Sequence, residues 1–204
     1  MRLFAGVWPS AAVVASLGTL ARPDLPGIRW VAPSQWHVTL AFYGEVPASE
    51  VPALARDLAA AGGAVAGPVT AELGPRTMVL GSTLGLPVYG LQALGEAVRA
   101  ATAGFGRGLD PRPFRAHLTL ARSRGRRAVP SRLEGRIAWT DASGPTGWVV
   151  EEVVVASSVR GEEGVRYEAA ARVALPTGGG GPPGGVLPDE CPRHPRTNMR
   201  SPLQ

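Results

Sequence analysis

Two short stretches of this chain carry the same pattern, a histidine followed by an apolar residue, a threonine and a leucine. They are His37-Val38-Thr39-Leu40 and His117-Leu118-Thr119-Leu120, and the chain contains only three histidines. At ordinary composition, a given histidine begins such a pattern by chance roughly once in a hundred times. A repeat that uses two of the three histidines therefore indicates a shared role for both stretches.

Alternation along a β-strand gives each stretch two different faces. Side chains at positions i and i+2 point the same way, so each histidine shares a face with its threonine and the apolar residues share the other. If the two strands are neighbours, two imidazoles and two hydroxyls meet at one point, which suits acid–base chemistry on a phosphate. One such histidine alone is more often a surface or core residue, and the duplication is what favours catalysis.

The 204 residues, 45% of them hydrophobic, are enough for one sizeable core or two small lobes. Periodicity and breaker residues predict helices over 10–21, 49–61 and 88–103. They predict extended segments over 2–7, 28–31, 36–44, 68–73, 76–82, 84–88, 114–122, 136–140, 147–157 and 164–175. The order strand, helix, histidine-bearing strand occurs over 2–44 and again over 84–122, which predicts two related lobes facing a cleft.

From Thr177 onward the composition changes to glycine, proline and polar residues. We therefore predict one bilobal domain over 1–176 and a disordered tail over 177–204, in which His194 is inert. Cys191 is the only cysteine, which excludes an intramolecular disulfide and a cysteine-based zinc site. No apolar run reaches the ~18 residues of a membrane span, and the N-terminal apolar stretch is too short for a signal peptide, so a cytoplasmic protein is expected.

All 21 basic side chains are arginines, and the formal net charge is +5. The lack of lysine excludes P-loop, Schiff-base and nucleotidyl-lysine chemistry, whereas arginine suits bidentate phosphate contacts. Arginines cluster around the second histidine motif, where they form either an RNA-binding surface or a solvated loop in an arginine-rich protein. The cluster comprises Arg107, Arg112, Arg115, Arg122, Arg124, Arg126 and Arg127.

Aromatic residues near the two motifs either stack on a terminal base or belong to the core. Strand alternation puts Trp36, Phe42 and Phe114 on the apolar face, which predicts core positions. It puts Tyr43 on the histidine face, which makes Tyr43 the aromatic candidate for contact with RNA.

With these motifs the chain resembles the two-histidine (2H) phosphoesterases, and more narrowly the bacterial and archaeal RNA 2′,3′-cyclic phosphodiesterases, also called 2′-5′ RNA ligases. The resemblance covers about 2–175 and extends beyond the two tetrapeptides. It includes Arg2-Leu3-Phe4-Ala5, Arg29-Trp30-Val31-x-Pro33, His37-Val38-Thr39-Leu40-x-Phe42-x-Gly44-Glu45, Pro113-Phe114-Arg115-x-His117-Leu118-Thr119-Leu120-Ala121-Arg122 and Gly164-x-x-Tyr167 after the serines 157 and 158.

The resemblance implies a bilobal α+β fold, with two antiparallel-rich sheets lining a central cleft and helices outside. It implies hydrolysis of an RNA 2′,3′-cyclic phosphate to a 2′-phosphomonoester, with 2′-5′ RNA ligation as the reverse type of reaction. His37 would be the proton donor to the leaving 3′ oxygen and His117 the proton acceptor for water. Thr39, Thr119 and Arg122 would bind the phosphate. Arg115 and Arg124 are added as candidate RNA contacts because they lie in the arginine cluster.

Two histidines without acidic or cysteine partners at ligand spacing make a poor metal site, so no metal and no cofactor are expected. The expected partner is RNA with a 2′,3′-cyclic phosphate end, with tRNA fragments among the candidates, and the protein is taken as a monomer by default. One alternative is a 2H phosphodiesterase for a small cyclic phosphate derived from ADP-ribose. Another is a non-catalytic RNA-binding module, against which both complete motifs argue, because binding alone does not need titrating histidines.

Overall fold

A computed structural model describes residues 1–106, 110–126, 128–135, 144–161 and 164–177. The predicted strand over 136–140, the tail beyond Thr177, and Arg107 and Arg127 of the arginine cluster lie outside these residues, and the side chain of Arg126 is likewise not described. Within the described part of the chain, no helix is both long and apolar enough to cross a bilayer.

The described residues form three α-helices, ten strands and four three-residue 3-10 helices. The helices are α1 (Ala11–Gly18), α2 (Val51–Gly63) and α3 (Gln92–Ala101). The strands are β1 (Arg2–Val7), β2 (Ile28–Trp30), β3 (Val38–Glu45), β4 (Thr70–Leu73), β5 (Met78–Leu80), β6 (Thr83–Tyr89), β7 (His117–Ser123), β8 (Gly147–Val149), β9 (Glu152–Gly161) and β10 (Gly164–Ala174).

The strands pair in the order β10-β9-β1-β3-β7-β6-β4-β8, with β2 beside β7 and β5 beside β6. Every pairing is antiparallel. We call β10-β9-β1-β3 the first wing and β7-β6-β4-β8 the second wing. The wings meet at one residue pair, Val38 with Leu118, at the centre of the two histidine motifs. The predicted α+β fold is confirmed, and its two sheets are joined edge to edge.

Strand alternation separates a helix-covered face from an open face in the first wing. Val153 and Val155 of β9 belong to the main core, whereas Val154 and Ala156 form a second cluster with Phe4. The main core takes residues from all three helices and both wings, with α2 packed on α3 and β10, and α3 packed on β3. The helices therefore cover one face of the first wing. The opposite face, which carries Phe4 and its neighbours, can line a cleft.

Both histidine-bearing strands contain β-bulges, and these change which side chains face the cleft. In β3 the pairing with β1 skips Leu40 and Tyr43, and in β7 the pairing with β6 skips Leu120. A bulge adds one residue to a strand and so reverses the alternation beyond it. As a result, Phe42 is 46% exposed and Tyr43 is 1% exposed. The prediction that Phe42 is core and Tyr43 faces the histidines was therefore wrong for both residues.

Two element boundaries also differ from the predictions. The predicted strand over 147–157 is two strands, because β8 pairs with β4 in the second wing and β9 pairs with β1 in the first. The chain crosses between the wings at residues 150–151. The predicted third helix begins later, since Tyr89 still pairs with Glu72 and Gly90 turns the chain at φ 84°. A Cβ at Gly90 would lie 2.1 Å from the carbonyl oxygen of Thr70.

Candidate active site

The two histidine motifs lie side by side and run in opposite directions. Val38 pairs with Leu118, so continuing this register by one residue each way places His37 opposite Thr119 and Thr39 opposite His117. Residues directly opposite in an antiparallel pair have Cα atoms about 4.5–5.5 Å apart. The two motifs are therefore neighbours: Thr39 and His117 line the same cavity, and the charge of His117 acts on His37.

The backbone holds both imidazoles in the same tautomer. His37 Nδ1 lies 2.7 Å from the carbonyl oxygen of Gln35, and His117 Nδ1 lies 2.8 Å from that of Arg115. A carbonyl oxygen only accepts hydrogen bonds, so Nδ1 carries the hydrogen in both rings. Nε2 is then the nitrogen left for acid–base work in each histidine.

A glycine faces each motif threonine, a feature that the sequence analysis missed. Gly6 of β1 pairs with Thr39, and Gly85 of β6 pairs with Thr119. A Cβ would lie 2.9 Å from the Val38 carbonyl oxygen at Gly6 and 2.7 Å from the Leu118 carbonyl oxygen at Gly85. Glycine inside a strand often marks a place where another backbone comes close. The glycines at positions 6 and 85 were therefore the sequence signal that could have predicted this feature. In both halves, therefore, a glycine lets the neighbouring strand lie close to the strand that carries the motif.

His37 is enclosed by aromatic rings on the open face of the first wing. The rings of Phe4, Trp8 and Tyr167 have centroids 4.9, 5.3 and 4.8 Å from the imidazole centroid, with Trp8 nearly parallel to it. The pKa of His37 is lowered from 6.5 to about 4, chiefly because the ring is buried. The positive charges of Arg122 and His117 contribute in the same direction, and the hydrogen bond to the Gln35 carbonyl opposes them. His37 is therefore neutral near pH 7 when no anion is bound. Tyr167 belongs to the sequence resemblance, but no role for it was predicted.

His117 instead borders a cavity of about 800 Å³ that we call the arginine cavity. Its walls include Thr39 and Phe42 from the first wing, and its charged residues are Arg99, Arg112, Arg115 and Asp110. Arg112 forms an ion pair with Asp110, and the Arg99 guanidinium donates hydrogen bonds to the carbonyl oxygens of both residues. These contacts attach the loop that precedes β7 to helix α3.

The remaining predicted site residues fall in three different settings. Arg122 is exposed on β7 and acts electrostatically on His37, as expected for a group near the same phosphate. Arg115 lines the arginine cavity, whereas Arg124 is exposed beside Gly27, to whose carbonyl oxygen its backbone N–H donates. Tyr43 is buried, and its hydroxyl hydrogen-bonds Thr102 at 3.2 Å. Burial also raises the pKa of Tyr43 to about 12. Because the side chain is almost fully buried, it cannot contact RNA, and the predicted contact at Tyr43 was wrong.

Among the described residues, no three or more His, Cys, Asp or Glu side chains are grouped closely enough to hold a metal ion. The chemistry that the described site offers consists of two Nε2 atoms, two hydroxyls and nearby guanidinium groups. Such a set can move two protons and neutralise phosphoryl oxygens.

An antiparallel two-winged sheet with a histidine–threonine pair from each wing at the join defines the class of two-histidine phosphoesterases. Residues 10–66 match a family model described as "LigT like Phosphoesterase". Those residues contain the first motif. The fold and these matches together support a place for the chain in the 2H phosphoesterase superfamily.

Solved structures match over almost their whole length. TT0787 of Thermus thermophilus is 27% identical, and the match covers 87% of this chain and 99% of that one with a TM-score of 0.62. E. coli LigT complexed with 3′-AMP is 25% identical, with coverages of 85% and 97% and a TM-score of 0.60. No curated protein sequence matches the chain.

Proposed function

We propose that the protein hydrolyses RNA 2′,3′-cyclic phosphodiester ends to 2′-phosphomonoesters. The observation that carries this proposal is that the two histidine motifs pair at a single strand junction, where a backbone carbonyl holds Nδ1 of each imidazole and leaves Nε2 for acid–base work. Metal-free phosphoryl transfer needs in-line positioning, charge neutralisation and two coordinated proton transfers. Two imidazoles suit the proton transfers, and two hydroxyls with a nearby guanidinium suit the neutralisation of charge. E. coli LigT has been solved with 3′-AMP, NADP+ and ATP, so a similar fold accommodates nucleotides.

In the proposed mechanism, His117 Nε2 accepts a proton from water as the water oxygen bonds to phosphorus. The bond between phosphorus and O3′ breaks, and His37 Nε2 donates its proton to that oxygen. Thr39 and Thr119 donate hydrogen bonds to the non-bridging oxygens, and Arg122 offsets their negative charge. In 2′-5′ ligation, a 5′-hydroxyl of a second RNA end takes the place of water.

The low pKa of His37 makes the donor role dependent on substrate. In the ligand-free protein, burial is the main cause of the lowered pKa, and the charges of Arg122 and His117 act in the same direction. A bound phosphate anion opposes both positive charges, so it favours protonation of His37. The proton then becomes available when the leaving oxygen is in place.

RNA is favoured over a small cyclic nucleotide by the arginine cavity. Three arginines and one aspartate line it together with the exposed ring of Phe42. Guanidinium groups bind successive backbone phosphates, and an exposed phenyl ring provides a face on which a base can stack. This arrangement extends beyond one phosphate, as an RNA end does.

The test uses an oligoribonucleotide that ends in a 2′,3′-cyclic phosphate, followed by identification of the oxygen that retains the phosphoryl group. Formation of the 2′-phosphomonoester by the protein, and its loss in the His37→Ala and His117→Ala variants, is expected. A faster reaction with a cyclic phosphate derived from ADP-ribose would indicate the small-molecule alternative. Binding of RNA that is unchanged in both variants, without turnover, would indicate a binding module. Activity in excess chelator is expected, and its abolition would contradict the metal-free mechanism.

A further inference from the structure

The residue two positions before each motif histidine supplies the carbonyl oxygen that accepts the hydrogen on Nδ1. This residue is Gln35 for His37 and Arg115 for His117. The amide group of the Gln35 side chain donates a hydrogen bond to the backbone carbonyl oxygen of Val165 in β10. The side chain of Arg115 instead lines the arginine cavity. The histidine of the first wing therefore has a carbonyl partner whose own side chain is attached to a distant strand.

The side-chain hydrogen bond of Gln35 joins two segments that are 130 positions apart in the chain. Gln35 ends a 3-10 helix, Pro33–Gln35, that leads into β3, whereas β10 is the outermost strand of the first wing. Two backbone hydrogen bonds of this turn are local, since Gln35 donates to Ala32 and Trp36 donates to Pro33. The side-chain bond is partly buried, and shielding from water strengthens it. It therefore attaches the turn before β3 to the outer strand of the wing.

Strand β10 also carries one of the aromatic rings that enclose His37. Tyr167 follows Val165 by two positions, and its ring packs edge-on against the imidazole, with the two centroids 4.8 Å apart. The imidazole is thus held by a carbonyl oxygen from the turn and by a ring from β10, and the Gln35 side chain links these two segments. A shift of one segment against the other would change the direction of Nε2. Misplacement of a catalytic group by about 1 Å can lower a rate by about 10²-fold.

We propose that Gln35 is a positioning residue, whose side chain holds the turn before β3 against β10 so that Nε2 of His37 points at the leaving oxygen. This inference rests on the proposed function and adds a residue that acts through the proton donor. The donor must reach one oxygen that is fixed in the bound substrate, whereas His117 takes a proton from a water molecule, which can adjust its position. The different contacts of Gln35 and Arg115 match this difference, because the Arg115 side chain faces the cavity assigned to RNA.

The experiment removes the hydrogen bond while it keeps the length of the side chain. Gln35→Met has no donor and adds no charge near His37. Gln92→Met, at an exposed position of α3, is the matched control, since it also removes an amide that donates to another side chain, that of Glu96. The full-length protein and both variants are tested on a mononucleoside 2′,3′-cyclic phosphate and on a phosphodiester with a 4-nitrophenolate leaving group, which needs no proton from His37.

We expect Gln35→Met to lower kcat for the cyclic substrate at least about tenfold and to change KM less than about twofold, because proton donation is impaired while binding is not. With the 4-nitrophenolate substrate, kcat should change less than about twofold, which also shows that the variant is folded. Gln92→Met should leave both reactions close to those of the unmodified protein. Equal losses on both substrates in Gln35→Met, a loss mainly in KM, or no loss on either substrate would overturn the proposal.

The ¹⁵N chemical shifts of the imidazoles in the ligand-free protein give a second measurement that does not depend on turnover. The Gln35 carbonyl selects the tautomer with the hydrogen on Nδ1, so Gln35→Met should let the other tautomer of His37 appear, while His117 should be unchanged. Identical His37 shifts in the variant and the unmodified protein would overturn the positioning role and leave the proposed function standing. If the unmodified protein does not turn over the cyclic substrate, the proposed function fails, and a changed His37 spectrum would still support the contact through which Gln35 positions the ring.

Discussion

The two wings present the same four-residue motif in different surroundings. In each wing the histidine Nδ1 donates to a backbone carbonyl two residues earlier, and a glycine faces the threonine. The first wing then encloses His37 with three aromatic rings, whereas the second wing opens His117 to an arginine-lined cavity. Duplication thus fixes the orientation of the reacting atoms, and the neighbours of each ring determine how readily it holds a proton.

At the antiparallel junction, a residue from each half lies near the histidine of the other half. Phe42 and Arg122 occupy the same place after their motifs, five residues beyond the histidine. Because the strands run in opposite directions, Phe42 lies in the cavity beside His117 and Arg122 acts on His37. Each half therefore supplies a residue that distinguishes the surroundings of the other half's histidine, as the two unequal roles of the proposed mechanism require.

Removal of either imidazole tests whether the histidines of the two wings differ in role. Of the changes proposed here, it should lower the activity most. We expect His37→Ala and His117→Ala each to lower kcat on a cyclic phosphate by about 10²–10⁴-fold. On a phosphodiester with a 4-nitrophenolate leaving group, which departs without protonation, His37→Ala should retain far more activity than His117→Ala. Parallel kinetics on both substrates measure this, and the opposite ranking would mean that the donor and acceptor roles are reversed.

The exposed aromatic ring of the first wing should matter more than its buried neighbour. We expect Phe42→Ala to lower kcat/KM for a cyclic RNA end by about 5–150-fold, the equivalent of about 1–3 kcal/mol for one stacked base. Tyr43→Phe removes only the hydroxyl that bonds Thr102, so it should reduce the free energy of unfolding while leaving kcat/KM close to that of the unmodified protein. Steady-state kinetics and denaturant unfolding of both variants would show the split, and a larger kinetic loss for Tyr43→Phe would contradict it.

Burial of His37 should also give stability a pH dependence that His37→Gln removes. The folded-state pKa is about 4 and the ordinary value is 6.5. Between these values the unfolded chain takes up a proton that the folded chain does not, so stability is full above pH 6.5 and falls as the pH drops toward 4. The loss is at most about 3 kcal/mol for a shift of this size. Chemical denaturation across this range measures it, and an equal slope in His37→Gln would show that other groups are responsible.

The smallest expected effect is on the pKa of His37 in the first wing, and it comes from the charge of Arg122 in the second wing. Arg122→Gln removes one positive charge that disfavours protonation of His37. The pKa of His37 should therefore rise, although by less than its burial lowers it, because burial is the larger cause. Titration of the His37 ring protons by NMR in both proteins measures the shift, with Arg124→Gln as the control on a neighbouring exposed arginine. A fall in the pKa would contradict the placement of Arg122 near His37.

The sequence by itself predicted the candidate catalytic residues and most of the strands. The period of two within His37-Val38-Thr39-Leu40 and its copy, together with their shared order of elements, was enough to predict two histidines and two threonines on one side of a sheet. The arginine-rich approach to the second motif likewise predicted Arg115 at the site. These features are local, so they can be read from neighbouring residues.

The tertiary structure decided what depends on pairing between distant strands. Bulges turned Phe42 and Tyr43 to the faces opposite to those predicted. The position of a bulge depends on pairing with the neighbouring strand, and not on the alternation of residues within the strand itself. The enclosure of His37 depends on Tyr167, which is 130 positions away, and the division of 147–157 depends on two different partner strands. The difference between the two histidines therefore comes from long-range contacts, which no local pattern encodes.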